Sequence, residues 1–256
     1  AAPCPEGVTP ADSAAAAAAG AEAVITMLPN GAILRTVAAE IVPAMQAGAA
    51  LVDCSTVDVE SARAMAAEAE AAGLLAVDAP VSGGVAAAEA GSLTFMVGGE
   101  NAAFDVAKPV LEAMGKNIFH AGAAGNGQAA KIANNMLLGV SMIATCEAFN
   151  LAEKLGLDAQ TFYDISSKAS GQCWSMTSYC PAPGPVPTAP SNRDYQPGFS
   201  VAMMLKDLKL AMGAADGVEA GADFGKAAEA AYQALSDAGH GPRDFSIPML
   251  KLKGQI

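Results

Sequence analysis

Residues 74–84 read Leu-Leu-Ala-Val-Asp-Ala-Pro-Val-Ser-Gly-Gly. An apolar run between Gly73 and Pro80 predicts a short buried strand over 74–78. The loop after it presents the Ser82 hydroxyl beside Gly83 and Gly84. Glycine lets backbone N–H groups approach a ligand closely, and a cluster of such groups suits a carboxylate. Working outward, similar apolar runs predict strands over 24–28, 51–54, 93–97 and 118–120. Helical patterns lie between them over 12–19, 32–45, 59–72 and 101–114, the first capped by Asp12. This alternation predicts a doubly wound, Rossmann-like α/β domain. Thus 28–30, 53–56 and 82–84 fall at strand carboxyl ends, where such sheets place their ligands.

A second stretch, Gly122-x-x-Gly125-x-Gly127-x-x-x-Lys131-x-x-x-Asn135, changes the character of the chain. It predicts a glycine-rich entry into a helix over 127–155. Further helices are expected over 159–168, 201–213 and 221–238, with a long proline-rich loop at 181–197. The expected layout is residues 1–122 as the α/β domain and 123–256 as an all-helical substrate or oligomerisation domain, with the long helix at their junction. Lys131 and Asn135 are four apart and share a helix face. Asn134 points about 100° away. A lysine beside a carboxamide can hold a substrate hydroxyl and exchange its proton. Burial would lower the lysine pKa toward the range useful for acid–base work. The two stretches together imply a small hydroxy acid gripped separately by its carboxylate and its alcohol.

Composition narrows the classes. Apolar residues make up 52% of the 256, charged residues 16%, and the net charge is −12. With no basic cluster, nucleic acid is not an expected partner. No apolar run reaches the ~20 residues of a membrane span, so no membrane partner is expected either. Five cysteines, Cys4, Cys54, Cys146, Cys173 and Cys180, without a C-x-x-C motif fit a reduced thiol set and a cytoplasmic setting. His120 and His240 are the only histidines, so no metal site is expected. Trp174, in Ser170-Gly171-Gln172-Cys173-Trp174, lies close to a candidate substrate loop, although an aromatic is more often core.

In order and spacing, these segments resemble the β-hydroxyacid dehydrogenase family, nearest its 3-hydroxyisobutyrate-oxidising members. The likeness extends through Ile25-Thr26-Met27-Leu28-Pro29-Asn30, Asp53-Cys54-Ser55-Thr56, Leu93-Thr94-Phe95-Met96-Val97-Gly98-Gly99, Lys206-Asp207-Leu208 and Asp244-Phe245-Ser246. The resemblance implies an NAD- or NADP-dependent oxidation of 3-hydroxyisobutyrate to the semialdehyde of valine breakdown. It implies Lys131 as the catalytic lysine, with Ser82, Gly83, Gly84 and Asn135 on the substrate. Leu28, Pro29, Thr56 and Lys206 fall to the cofactor, with Asp207 and Phe199 in support. It also implies a homodimer or homotetramer, in the bacterial cytoplasm or the mitochondrial matrix.

The family opens with a strand, a G-x-G-x-x-G turn, a helix and a second strand that hold the cofactor pyrophosphate. Here Ala1-Ala2-Pro3-Cys4 leads to the 24–28 strand roughly 30 residues early, about one such unit. The acidic or basic residue that chooses NAD over NADP would follow that second strand, so the choice stays open. Two other readings stand beside the first. One is a reductase of tartronate semialdehyde or a related short aldehyde acid. The other is a non-catalytic binding or oligomerisation relative. A phosphogluconate dehydrogenase is more distant, because the resemblance calls for histidine at position 134 and extra basic residues.

Overall fold

The computed structural model describes residues 6–256, so Ala1-Ala2-Pro3-Cys4 lie outside the described residues. The chain forms two compact units, Ala1–Lys131 and Ile132–Ile256. In the first, the elements run α1 (Ala14–Ala18), β1 (Ala23–Thr26), α2 (Gly31–Ile41), β2 (Ala50–Asp53), α3 (Val59–Ala71), β3 (Leu75–Asp78), β4 (Val81–Ser82), α4 (Gly84–Glu89), β5 (Leu93–Gly98), α5 (Asn101–Glu112) and β6 (Gly115–Gly122). The six strands form one sheet in the order β1-β2-β3-β5-β4, with β6 also paired to β5. Strands β1, β2 and β3 are parallel, and their register aligns Thr26 with Asp53 and Asp53 with Asp78. Their loops therefore leave the sheet along one line.

Alternation of side chains sends neighbouring strand residues to opposite faces. Leu51 and Ala76 pack with Leu34, Ile41 and Met65, whereas Val52 and Val77 pack with Phe95, Ala107 and Leu111. Both faces are covered by helices, which is the doubly wound arrangement. The sheet is mixed, however. Strand β5 runs antiparallel to β3 and β4 and parallel to β6. Parallel neighbours need a crossover of a dozen or more residues, and the short α4 connection does not supply one.

Boundaries depart from the sequence expectation for local reasons. Helix α1 is capped by Ser13, whose side chain accepts from the Ala16 N–H, rather than by Asp12. Strand β1 stops at Thr26, because the Leu28 N–H turns to the Ser55 hydroxyl at 2.7 Å. Helix α2 gives way to a 3₁₀ turn over Val42–Ala44, where Pro43 carries no N–H to donate. Strand β6 spans Gly115–Gly122, more than the three residues expected. The supposed loop at 82–84 instead ends a short strand and opens a short helix.

In the second unit, α6 (Asn126–Lys154) continues from the first. It is followed by α7 (Ala159–Ser166), α8 (Trp174–Thr177), α9 (Val201–Gly217), α10 (Asp223–Leu235) and α11 (Pro248–Leu252). The core is Met142, Cys146, Phe149, Met204, Leu208, Tyr232 and Phe245. The last expected helix ends at Leu235 and continues as a π-helical turn over Ser236–His240, closed by Gly239 at φ 88. Helices α8 and α11 are single turns with too few residues to show a period. Trp174 is not core: it is 51% exposed and stacks on Tyr179 with ring centroids 5.0 Å apart. Helix α6 holds a window of mean hydropathy 1.3, long and apolar enough by length and composition to cross a membrane, although no uninterrupted apolar run in it approaches ~20 residues. Its Met142, Cys146 and Phe149 lie in the core of the second unit, whereas Leu137 and Leu151 on the same helix are exposed.

The cysteines of the described residues carry no disulfide. Burial pushes the Cys54 thiol up to about 12 and the Cys180 thiol up to about 11, and raises Cys146 as well.

Candidate active site

At the carboxyl edge of the first unit's sheet, buried polar side chains replace the apolar strand pattern. Asp53 ends β2 with no exposure. Its Oδ1 accepts from the Thr26 hydroxyl at 2.7 Å, the Ser55 hydroxyl at 2.5 Å and the Ser55 N–H at 3.2 Å. Its Oδ2 has no hydrogen-bond partner among the described residues, and burial raises the carboxyl pKa despite the donors on Oδ1.

Asp78 ends β3 beside it and receives the start of α6. Its Oδ1 accepts from the Gly125 N–H at 2.7 Å and its Oδ2 from the Gln128 N–H at 2.8 Å. First-turn N–H groups have no partner within their own helix, so a carboxylate there is favourable. Burial still outweighs those donors and moves Asp78 up to about 6. The helix comes close enough that glycine is required at Gly127. A Cβ there would lie 2.4 Å from the Met96 carbonyl oxygen and 2.5 Å from that of Asp78. Lys131 follows one turn later and is 7% exposed.

A raised carboxyl pKa binds its proton more tightly in the folded chain. Its stabilising contribution is therefore complete below the unfolded value of 3.8 and lost as pH rises through about 6. Against an Asp78→Asn variant, the native chain should gain about 2 kcal/mol in relative stability between about pH 7 and about pH 4.5. Thermal melts of both proteins across that range check this. A stability difference that does not change with pH would contradict it.

Gly83 and Gly84 have φ of 133 and 66, values that L side chains rarely adopt. A Cβ on Gly83 would also sit 2.4 Å from that of Ala87. The turn itself demands both glycines, and it leaves their backbone exposed with Ser82 half-buried. Leu28, half-buried, and Pro29, exposed, lie at the end of β1 just before the Asn30 cap of α2. Thr56 lies between Ser55 and the Asp58 cap of α3. Apolar Met27, Leu28 and Pro29 with the nearby Thr56 hydroxyl form a set that suits a nucleoside, whose base is apolar-faced and whose ribose carries hydroxyls. On that chemistry, the residues present fit a nucleoside portion of NAD, on the adenine or the nicotinamide side.

In the second unit, Asn135 is 2% exposed and Asn134 is exposed. The Asn135 amide donates to Asp207 Oδ2 at 2.5 Å and accepts from Asn134 Nδ2 at 2.9 Å. Lys206 Nζ lies 3.2 Å from Asp207 Oδ1, so this ion pair partners an oxygen that lacks an aligned hydrogen-bond donor. Both residues sit in the second turn of α9, which Ser200 caps ahead of Val201. Phe199 packs edge-on against Phe245, ring centroids 5.6 Å apart, and its N–H reaches Asp244 Oδ2 at 3.3 Å. Asp244 also accepts from the Tyr179 hydroxyl, the Gly198 N–H, and the Ser246 N–H and hydroxyl.

Sequence reading named Lys131 and Asn135 but passed over Gln128, and quoted Asp53, Asp78 and Asp244 without giving them roles. The available signal was an aspartate followed two residues later by serine. Asp53-Cys54-Ser55 and Asp244-Phe245-Ser246 make the same turn, with Oδ1 taking both serine donors.

Residues 2–122 match the family described as the NAD binding domain of 6-phosphogluconate dehydrogenase. Residues 125–252 match the family described as NAD-binding of NADP-dependent 3-hydroxyisobutyrate dehydrogenase. A probable 3-hydroxyisobutyrate dehydrogenase of Mycobacterium bovis is 48% identical over 249 residues, covering 97% of this chain and 84% of the relative. An NAD-dependent L-serine dehydrogenase of Pseudomonas aeruginosa is 44% identical over 248 residues, 94% of this chain and 82% of the relative. A solved structure of Mycobacterium tuberculosis 3-hydroxyisobutyrate dehydrogenase with L-serine is 49% identical and superposes with a TM-score of 0.91, covering 94% of this chain and 83% of that one.

Proposed function

The chain belongs to the 3-hydroxyisobutyrate dehydrogenase family, and from that membership we propose that it oxidises a short 3-hydroxy acid, 3-hydroxyisobutyrate first, to its semialdehyde. The observation that carries the reading is Lys131. It is a nearly buried lysine, one turn past an α6 entry that Asp78 holds through the Gly125 and Gln128 N–H groups. When bound, NAD supplies the hydride acceptor. Lys131 Nζ takes the alcohol proton as the C–H hydride departs and the carbonyl forms; in reduction it returns that proton. The Ser82 hydroxyl and the Gly83 and Gly84 N–H groups hold the substrate carboxylate. Asn135 orients the hydroxyl, with Asp207 fixing the Asn135 amide and Lys206 paired to Asp207. Leu28, Pro29 and Thr56 line the nucleoside, and the family resemblance assigns Lys206 to the cofactor and Phe199 to the substrate.

L-Serine is the second substrate to try. It shares the carboxylate and primary alcohol of 3-hydroxyisobutyrate, and two of the relatives above are named with it. The deciding experiment compares kcat/KM for 3-hydroxyisobutyrate, L-serine and glycerate with NAD and with NADP. Absence of turnover with all three would remove the dehydrogenase reading.

Ser82→Ala is expected to raise KM for the acid by about tenfold or more and to leave KM for the cofactor nearly unchanged. A hydrogen bond to a charged acceptor contributes about 1.5–3 kcal/mol, and the carboxylate belongs to the substrate alone. Initial-rate kinetics with each substrate varied in turn measure this. A shift confined to the cofactor would move Ser82 to the nucleotide side.

A further inference from the structure

We propose that Gln128 is a positioning residue: its side-chain amide fixes the loop that carries Thr56 relative to the α6 turn that carries Lys131. The proposal rests on the dehydrogenase reading above. Gln128 has no exposure. Its Oε1 accepts from the Val57 N–H at 3.1 Å and its Nε2 donates to the Ser55 carbonyl at 2.8 Å. Those two backbone groups flank Thr56. The loop at 55–57 has left β2, so strand pairing no longer satisfies them, and buried backbone groups require partners. One carboxamide supplies both an acceptor and a donor, as a neighbouring strand would.

The far end of Gln128 is equally constrained. Its own N–H binds Asp78 Oδ2, which pins it to the end of β3. The Ser55 hydroxyl continues the chain of bonds. It accepts from the Leu28 N–H and donates to Asp53, which also holds Thr26. A single run of buried hydrogen bonds therefore joins the ends of β1, β2 and β3 to α6, and Lys131 stands three residues beyond Gln128. In the proposed reaction, Thr56 meets the cofactor and Lys131 meets the alcohol. Their separation is then set by Gln128 and not by either residue alone, and hydride transfer is sensitive to displacements of the order of 1 Å.

The test uses the full chain with Gln128→Met, which keeps length and burial but loses both bonds, and Gln128→Glu, which keeps the acceptor for Val57 and has a donor for Ser55 only when protonated. Amide exchange at Val57 should accelerate on the order of tenfold in Gln128→Met and little in Gln128→Glu, a readout that needs no cofactor. By calorimetric titration, Kd for NAD should rise several-fold in Gln128→Met and less in Gln128→Glu. The kcat should fall in the same order, while KM for the hydroxy acid stays within about twofold. A residue serving stability alone would lower the melting temperature without this graded split. Unchanged Val57 exchange, or unchanged Kd and kcat in an active protein, overturns the brace and leaves the dehydrogenase reading standing. Failure of both variants to fold overturns it too, since Gln128 would then be a core residue. A native protein that turns over no 3-hydroxy acid removes both readings together.

Discussion

Replacing Lys131 by alanine is expected to lower kcat by ~10²–10⁴-fold while the fold survives. The side chain is 7% exposed in the second turn of α6, and alanine is the best helix former, so the turn itself should persist. Loss of a group that acts in the transition state lowers kcat and kcat/KM together, with smaller changes in KM for acid and cofactor. Steady-state kinetics with 3-hydroxyisobutyrate and NAD, beside circular dichroism and a thermal melt, separate this from misfolding. Added small primary amines should restore part of the rate, because they supply the missing base. Near-normal kcat in a folded Lys131→Ala protein would remove Lys131 from the mechanism.

Gly127→Ala is expected to damage the fold far more than Lys131→Ala or Ser82→Ala. The new Cβ would lie 2.4 Å from the Met96 carbonyl oxygen, 2.5 Å from that of Asp78 and 2.8 Å from Asp78 Oδ2. The two carbonyls belong to β5 and β3, and sheet backbone cannot yield as a flexible side chain can. Relief requires α6 to withdraw, which breaks the Asp78 bonds to the Gly125 and Gln128 N–H groups. Overpacking with lost buried bonds should cost about 3 kcal/mol or more, lowering Tm by roughly 6–12 °C. Gly213→Ala is the control. Gly213 lies inside α9, a Cβ there meets nothing within 4 Å, and the helix should gain slightly from alanine. Equal melting temperatures for the two variants would show that the close approach at Gly127 is not required.

The parts of this protein most legible in sequence are those governed by one local rule. The parallel strands were visible because Leu51-Val52 and Ala76-Val77 are buried on both faces and read as continuous apolar runs. Lys131 and Asn135 stood out because a helix period brings positions four apart together. The mixed sheet was hidden, because β4 has only two residues and its pairing with β5 depends on a turn at Gly83 and Gly84. Gln128 was hidden for a different reason. Its partners lie 71 and 73 residues away, so no window of sequence contains both ends of either bond. Trp174 misled because aromatic residues are so often core; in this fold a single-turn helix holds it at the surface against Tyr179.

The sulfur chemistry of the chain follows from where its thiols sit. Thiolate is the form that reacts with peroxide, disulfides and electrophiles. A thiol held at about 12, as in Cys54, ionises to only ~10⁻⁵ at neutral pH, and Cys146 and Cys180 are sealed in the second unit's core. Oxidative ageing of these three must therefore wait for the surrounding structure to open. Half-buried Cys173, whose sulfur rests 3.4 Å from the Thr145 hydroxyl, is the first of the four within reach of an oxidant while the fold is intact.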